Sequence, residues 1–586
     1  MAVKPRGMKL FGQGKKTPPG RTSGLAEPSE VRFRAWLQTL ALALGPALLL
    51  FLYDKTMFPG LTNPDALDFA QLGRNLGAGR GFVTDILRPL ALTHGADPLQ
   101  QPDVTHGPLL PFLLGTAFNS FGAKDTVAAA LSGVFYLLTV PVLYLLGTRV
   151  FNKTVGLVTA AIFVFNALLL EYAASGTQIT LYIFLMTCLL LILHELSAAT
   201  PEPGKAGRLP RVMLLMAGAL TGLLYLTDPI FCWVIPVVIG AVIVLYRPVW
   251  PQALALCLLP VLLLVGPWMY RNAALTGNPV FGLRGLELWM NTKGYYPGLI
   301  GYRMDTSDFV PGEGLFKAVV QKVLLGTGQV IQAFPQVTAS WVLAFLLPSL
   351  LFRFADPAAN SLRRIMMWCF LALFVGTLLF SIQMPLFVAL IPTMLVFSVA
   401  YLLHLIEQAN LGRGSALGVA ALLAVAVVFP LVSDVALADR PQTLKEAATA
   451  RALGRMTQKG EVSFSDQPWI VAWYADRPSL WIPTEDTQVA KARQRFPSAR
   501  WLFLTDQAAN FSPEWQYVYS SFQQWGATYL QAKENGKPPP SRLVISGKGP
   551  TLFEALDGFM SVDPVKDGAP SAVIAAVPLK DGAAKK

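Results

Sequence analysis

Ala35-Trp36-Leu37-Gln38-Thr39-Leu40-Ala41-Leu42-Ala43-Leu44-Gly45-Pro46-Ala47-Leu48-Leu49-Leu50-Phe51-Leu52-Tyr53 carries no charge over its whole length. A helix crosses a bilayer core with about 20 apolar residues, 17–25 being usual, and this run meets that need. It is too long for the apolar core of a signal peptide, and no small-residue cleavage site closes it. Residues 1–34 before it form a Pro- and Gly-rich tail bearing Lys4, Arg6, Lys9, Lys15, Lys16, Arg21, Arg32 and Arg34. Basic residues stay on the cytoplasmic side of a span, so the run reads as an uncleaved signal anchor with its N-terminus inside.

The rest of the chain repeats the pattern. Further apolar runs lie near 126–147, 154–172, 178–195, 211–227, 229–246, 250–270, 339–353, 364–380, 385–405 and 415–433, making eleven in all. Hydrophobic residues are 53% of the 586 and charged ones 14%, against about 25% charged in an ordinary soluble protein. That balance excludes a disordered chain, a nucleic-acid-binding domain and a soluble enzyme with a small anchor. The net charge of +12 then reads as topology, not as a polyanion site. Cys188, Cys232, Cys257 and Cys369 lie inside apolar runs without CxxC spacing, so they propose neither zinc nor disulfides.

Gly107 to Gly122 is apolar but would rise only about 24 Å as a helix, short of a core of about 30 Å. If it does not span, Arg149/Lys153, Lys205/Arg208/Arg211, Arg247, Arg353/Arg363/Arg364 and Arg413 all fall inside with the N-terminal cluster. If it spans, all of them move outside. It is therefore expected to lie in, or re-enter, the outer interface. The expected organisation is a basic cytoplasmic tail (1–34), a transmembrane domain (35–433) with outer loops 54–125 and 271–338, an extracytoplasmic domain (434–562) and a flexible tail (563–586). In the third of these, Glu461–Ser465, Ile470–Ala475, Ser479–Pro483 and Trp501–Thr505 read as strands. Thr443–Met456, Asp486–Phe496 and Pro513–Lys533 read as helices. The fold expected is mainly α, a polytopic membrane protein with a small C-terminal α/β domain.

Ionisable residues stay out of the span interiors, whereas pumps and coupled transporters usually place them at mid-membrane depth. Polar residues gather instead in the two large outer loops, which puts the site where a lipid headgroup meets water. The first loop holds Asn63-Pro64-Asp65-Ala66-Leu67-Asp68-Phe69-Ala70-Gln71-Leu72-Gly73-Arg74-Asn75-Leu76, then Gly79-Arg80-Gly81-Phe82. Pro64 fits a helix start, with Asp65 in the first turn where the helix dipole favours a carboxylate. Phe69, Leu72 and Leu76 share one face, as in an interfacial amphipathic helix. The glycines follow no strand, which argues against a nucleotide loop.

These residues resemble the GT-C glycosyltransferase superfamily, in the branch of protein O-mannosyltransferases and the lipid A aminoarabinose transferase. Its members carry an Asp just after the first span in a pattern like D-x-x-x-[YF]-A-x-[IL]-x-R, which Asp65, Phe69, Ala70, Leu72 and Arg74 match. The turn Gly79-Arg80-Gly81-Phe82 and the segment Thr105-His106-Gly107-Pro108-Leu109-Leu110-Pro111 follow in the same order. Val150-Phe151-Asn152, Pro267-Trp268-Met269-Tyr270-Arg271-Asn272, Gly277-Asn278-Pro279-Val280-Phe281 and Gln467-Pro468-Trp469 with Ala472-Trp473-Tyr474 are similar to later segments of bacterial members, over about residues 35–510.

The resemblance implies transfer of a sugar from a polyprenyl-phosphate donor to a lipid, glycan or protein acceptor, at the outer face of a bacterial plasma membrane. A phosphate leaving group needs little acid help, so such a site needs a base for the acceptor hydroxyl and cations for the phosphate. Asp65 matches the base, and inversion at the anomeric carbon is expected. The substrate-binding candidates are Asp68, Arg74, Arg80, His106 and Arg271, with Arg80 and Arg271 approaching one phosphate from two sides. His106 stands where the family often has a Lys; a neutral imidazole donates one hydrogen bond but adds no full charge. Tyr295 and Tyr296, with Trp289, Tyr302, Arg303 and Asp305 of the second loop, suit sugar rings or the membrane interface.

Two departures stand out. Many relatives place a second acid in the outer turn after the third span, where this chain reads Ala174-Ser175-Gly176-Thr177-Gln178 with Glu171 a few residues early. Asp228 occupies the next outer turn, where relatives often carry a basic residue. A hard divalent cation prefers several carboxylate oxygens, so a metal-assisted site is an open alternative that the sequence does not favour, and no cofactor is expected. A transporter or flippase of lipid-linked sugar, and a GT-C-like binding protein without catalysis, are the competing classes.

Overall fold

The protein is described by a computed structural model over residues 44–94, 97, 100–199, 209–290, 301–303, 315–338, 341–380, 383–437, 444–483, 486–505, 560–562 and 572–576. The apolar runs are helical throughout. In chain order the helices are α1 (44–57), α2 (Pro64–Gly77), α3 (Leu109–Phe121), α4 (Asp125–Val150), α5 (Lys153–Val164), α6 (Ala167–Ala174), α7 (Ile179–Ala198) and α8 (Arg211–Thr227). Then come α9 (Val234–Leu245), α10 (Trp250–Thr276), α11 (Leu315–Thr338), α12 (Pro357–Leu379), α13 (Ile391–Gln408), α14 (Arg413–Leu437), α15 (Lys445–Met456) and α16 (Asp486–Arg495).

Among the described residues six helices are long and apolar enough to cross a membrane, as in an integral membrane protein; α5 and α6, bent by 61° at their break, make a seventh span if counted as one. Of the other expected runs, those near 211–227 and 229–246 form apolar helices of 17 residues, which start at Pro210 and Pro229. The run 339–353 likewise gives only a short apolar helix over Trp341–Leu351. Of the first run, the described part from residue 44 is helical. α7 lies in the core, with Leu181, Tyr182, Leu185, Met186, Leu189, Leu190 and Leu193 buried and the Tyr182 hydroxyl donating to the Pro385 carbonyl at 2.7 Å.

α2 and α3 form a tight pair that carries the first loop. A Cβ on Gly73 would stand 2.5 Å from Leu114 Cβ, and one on Gly77 would stand 2.9 Å from the Gly115 carbonyl oxygen. Only glycine permits that approach. α2 is buried nearly all round, from Ala66 through Gly73, and so is not the half-exposed interfacial helix its apolar spacing predicts. Its second stripe, Asp68, Gln71 and Asn75, is buried because it is hydrogen-bonded. Gln71 donates to Asp68 and Thr84 at 3.0 Å and accepts from the Asp85 amide at 2.9 Å, while Asn75 donates to the Val83 carbonyl at 2.8 Å.

The C-terminal segment is built on a six-stranded sheet ordered β1-β3-β2-β4-β6-β5. β2 (Val462–Ser465), β3 (Ser479–Trp481) and β4 (Ala499–Thr505) are parallel; β5 (Met560–Val562) and β6 (Ala572–Ala576) add an antiparallel edge. Its other edge comes from far away: β1 is Ile86–Leu87 of the first loop, parallel to β3. The first loop and the C-terminal domain therefore lie on one side of the helices. The domain also docks on the start of α4, where Trp473 Nε1 and the Tyr474 hydroxyl donate to the Asp125 carboxylate at 2.7 and 2.9 Å.

Two further expectations are corrected here. Residues 470–475, read as a strand, lie in a helical connection formed by Pro468–Ile470 and the π-helical turn Val471–Ala475. β2 and β3 are parallel neighbours, and such a pair needs a crossover between its strands. β6 falls within the segment assigned to a flexible tail: Ala572-Val573-Ile574-Ala575-Ala576 is apolar and pairs along β4 from Thr505 to Trp501. The helix expected over 513–533 lies outside the described residues.

Candidate active site

The site begins at the N-terminus of α2. Asn63 caps the helix by accepting the Asp65 amide at 2.8 Å, which leaves the Asp65 carboxylate free to face outward. That side chain is open to solvent yet surrounded by protein, as at the floor of a cleft. Its pKa is raised from the ordinary value by desolvation, with His106 and Arg284 opposing the rise and Asp68 and Asp228 adding to it. Four ionisable groups from four separate segments thus act on one carboxyl.

His106 arrives on the turn before α3. Asp103 builds that turn by accepting the amides of Thr105 and His106 at 2.9 and 2.8 Å. The imidazole is held between two carboxylates: Nδ1 lies 3.2 Å from Asp103 and Nε2 lies 3.5 Å from Asp68, with the Phe69 ring edge-on at 4.9 Å. Burial would lower the His106 pKa, but Asp68 and Asp103 outweigh it and raise it, favouring the imidazolium. Burial pushes the Asp103 carboxyl up, and His106 and Arg88 more than reverse this, holding it well below its usual range. Arg88, the residue after β1, pairs with Asp68 and lies 3.8 Å from Asp103.

A second ion pair also acts on Asp65. Asp228 is fully buried at the start of the short helix Pro229–Trp233, where it accepts the Ile230 amide at 3.1 Å. Its other oxygen accepts from Gln178 Nε2 at 3.1 Å and Arg284 Nη1 at 2.5 Å. Burial would lower the Arg284 pKa, but Asp228 and Glu287 raise it well above its usual value. The carboxylate that the turn 174–178 lacks is therefore present nearby, on the next turn, with its own counter-charge.

The remaining arginine candidates meet other partners. Arg74 donates to Asp85 at 3.1 Å and to the carbonyls of Ala472 and Trp473 at 2.7 and 3.0 Å, and pairs with Asp476 at 3.0 Å. Arg80 bridges Asp85 at 3.3 Å and Asn75. Arg271, at the end of α10, donates to the carbonyls of Phe82 and Asp103 at 3.3 and 2.9 Å and stacks on Trp268 and Phe82. These three hold the framework together, and Arg80 and Arg271 share no partner. Asp68 is buried and engaged by Arg88 and Gln71. Tyr295 and Tyr296 lie outside the described residues. Tyr302 is buried and donates to Glu287, so it serves the second loop's packing.

Sequence reading missed Arg88, Asp103, Arg284 and Glu287. Asp103 had a signal, an Asx turn two and three residues before Thr105 and His106. Arg88 and Arg284 had none, because their partners lie 20 and 56 residues away. Among the described residues no group of three or more His, Cys, Asp or Glu is placed to hold a metal ion.

No protein-family model and no curated protein matches the chain. Solved structures do. ArnT from Cupriavidus metallidurans bound to undecaprenyl phosphate is 15% identical, covers 93% of this chain and 98% of its own, and superposes with a TM-score of 0.55. The oligosaccharyltransferase AglB of Archaeoglobus fulgidus, in complex with an inhibitory peptide and a dolichol-phosphate, is 13% identical, covers 84% and 72%, and gives 0.55. An Archaeoglobus fulgidus oligosaccharyltransferase in complex with Zn and sulfate is 14% identical, covers 83% of this chain and 71% of its own, and gives 0.54. This chain shares its fold with both proteins. At these identities the likeness speaks for the fold.

Proposed function

We propose that this protein is a membrane glycosyltransferase that moves a sugar from a polyprenyl-phosphate-linked donor to an acceptor hydroxyl at the outer face of the membrane. The observation that carries the reading is Asp65: a solvent-reached carboxylate with a raised pKa, flanked by the His106 imidazole and the Arg284 guanidinium. A carboxylate whose pKa is raised by its surroundings is a stronger base than an ordinary one, which suits it to take the proton of an acceptor hydroxyl. In the step proposed, the bond between the anomeric carbon and the phosphate oxygen breaks. The acceptor oxygen bonds to that carbon from the opposite face, its proton passes to Asp65, and polyprenyl phosphate leaves. The configuration inverts. His106 and Arg284 supply the cations that hold the phosphate, and Arg74, Arg80 and Arg271 keep the loop in place around them. Dolichol-phosphate and undecaprenyl phosphate in the similar structures support a donor of this class.

Purified protein incubated with a panel of polyprenyl-phosphate sugars should release polyprenyl phosphate from at least one. Release from none, with a range of lipid, glycan and peptide acceptors supplied, removes the reading. The proposed topology has a separate test. In a cysteine-free background, Lys459→Cys should be labelled by an impermeant reagent from outside and Arg353→Cys only after permeabilisation. The reverse pattern would put the catalytic loop on the cytoplasmic side.

A further inference from the structure

Asp228 is the residue the sequence leaves unexplained, and the structure gives it no contact with the framework arginines. A fully buried carboxylate is retained only when its charge is paired and its lone pairs are filled. Here Ile230 fills one oxygen, while Gln178 and Arg284 fill the other. The pair is asymmetric: the Asp228 side chain has no exposed surface, whereas that of Arg284 is 22% exposed. Arg284 uses Nη1 on Asp228 and turns Nε toward Glu287 at 3.8 Å. Among the described residues Nη2 has no protein partner. The segment bearing Arg284 is anchored on three further sides. The Leu283 amide donates to the Val104 carbonyl at 2.9 Å, Tyr302 donates to Glu287, and Lys322 Nζ donates to the Glu287 carbonyl at 2.6 Å. The backbone is thus fixed from several sides, and Asp228 with Gln178 sets the direction of the guanidinium.

We infer that Asp228 is a positioning residue: it and Gln178 hold Arg284 so that the guanidinium's open Nη2 edge faces Asp65 and takes an oxygen of the donor phosphate. This rests on the donor class proposed above. Arg is suited to the task, since its planar fork offers one edge to a buried carboxylate and another to a phosphate. The pair also sets the charge at Asp65, whose neighbours are His106, Asp68, Asp228 and Arg284. Neutralising Asp228 removes an acidic neighbour and leaves the Arg284 charge uncompensated; both changes favour the ionised Asp65.

The test is a double-mutant cycle on the full chain in detergent, with undecaprenyl phosphate as the probe and its Kd as the readout. Asp228→Asn and Arg284→Met should each weaken binding roughly tenfold to a hundredfold, the range for outer partners that orient ligand-holding groups. The double variant should bind no more weakly than Arg284→Met alone, because Asp228 acts through Arg284. Asp228→Glu, which keeps the charge but displaces the guanidinium, covers the case in which Asp228→Asn does not fold; it should bind more weakly than the parent. In turnover, Asp228→Asn should shift the acid limb of the pH–rate profile to lower pH, which a packing role would not do. Unchanged binding in the folded single variants, additive losses in the double variant, or a limb that stays or moves up overturns the inference. If the parent protein binds no polyprenyl phosphate, the donor reading itself fails and the inference with it.

Discussion

The two ends of α2 carry the first and last residues of one short motif, and they do opposite work. Asp65 and Arg74 are nine residues apart, about 13.5 Å along the helix axis. At the N-terminal end the charge is left over: Asn63 caps the helix, so the Asp65 carboxylate is not needed as the cap and is open to solvent. At the C-terminal end the charge is used up, with Arg74 bound to Asp85, Asp476 and two carbonyls of the π-helical turn. A π-turn leaves carbonyls available that an α-helix would use, and Arg74 takes two of them. A motif match alone treats both residues as site residues. Their partners separate a carboxylate left open to solvent from an arginine that fastens the C-terminal domain to the helix bearing it.

The largest expected effect breaks this comparison at its open end. Asp65→Asn should lower turnover by about 10²–10⁴, the usual worth of a positioned acid or base, with an unchanged melting temperature and unchanged undecaprenyl phosphate binding. Near-normal turnover would remove Asp65 from the mechanism and leave the two ends alike. The next effect breaks the closed end. Arg74→Ala leaves Asp85, which is almost fully buried, with Arg80 as its remaining ion partner. It should cost about 2–4 kcal/mol of stability, somewhat under the cost of stripping a fully buried pair because Arg80 remains and Arg74 is partly exposed. The readout is a lowered melting temperature, with donor affinity per folded molecule retained. Loss of donor binding in a fully stable Arg74→Ala would return Arg74 to the phosphate.

How much was legible follows the range over which each signal acts. The spans were readable because apolar runs report on the bilayer locally, and α2 was readable because Pro64, Asp65 and the spacing of Phe69 and Leu72 are helix signals within two turns. The burial of Asp68, Gln71 and Asn75 was not, since it depends on residues 83–85 folding back along the helix. β1 is two residues long and is a strand only because β3, almost 400 residues later, offers it an edge. α11 was passed over because Lys317, Gln321 and Lys322 break its apolar run, although its apolar residues recur at helical spacing. The Asp228–Arg284 pair joins residues 56 apart, and nothing near either one names the other.

A third carboxyl sharpens the distinction between open and closed. Asp466, at the end of β2, is buried and pushed up to about 7 by that burial, against hydrogen bonds from the Thr505 amide and hydroxyl at 3.0 and 2.6 Å. Asp65 and Asp466 are therefore both raised acids, but only Asp65 is reached by solvent, so their titrations should appear in different measurements. Asp65 should appear in the rate: the proton must leave before it can act as base, so turnover rises with pH through the Asp65 pKa, which its surroundings raise. Asp466 should appear in stability. Between its unfolded value near 4 and its folded value near 7, the folded protein holds a proton that the unfolded chain has lost, so stability falls as pH rises through that window. Below the window the contribution is fully present; above it, the contribution is gone. The fall should be about 2 kcal/mol between pH 5 and pH 7, the smallest of these effects. Asp466→Asn, which keeps an acceptor for the Thr505 amide and never ionises, should flatten that part of the melting temperature profile and leave the pH–rate profile in place. A parallel slope in parent and variant would show that Asp466 does not hold its proton in the fold, and a shifted rate profile would show that the domain's closed acid and the cleft's open one are coupled.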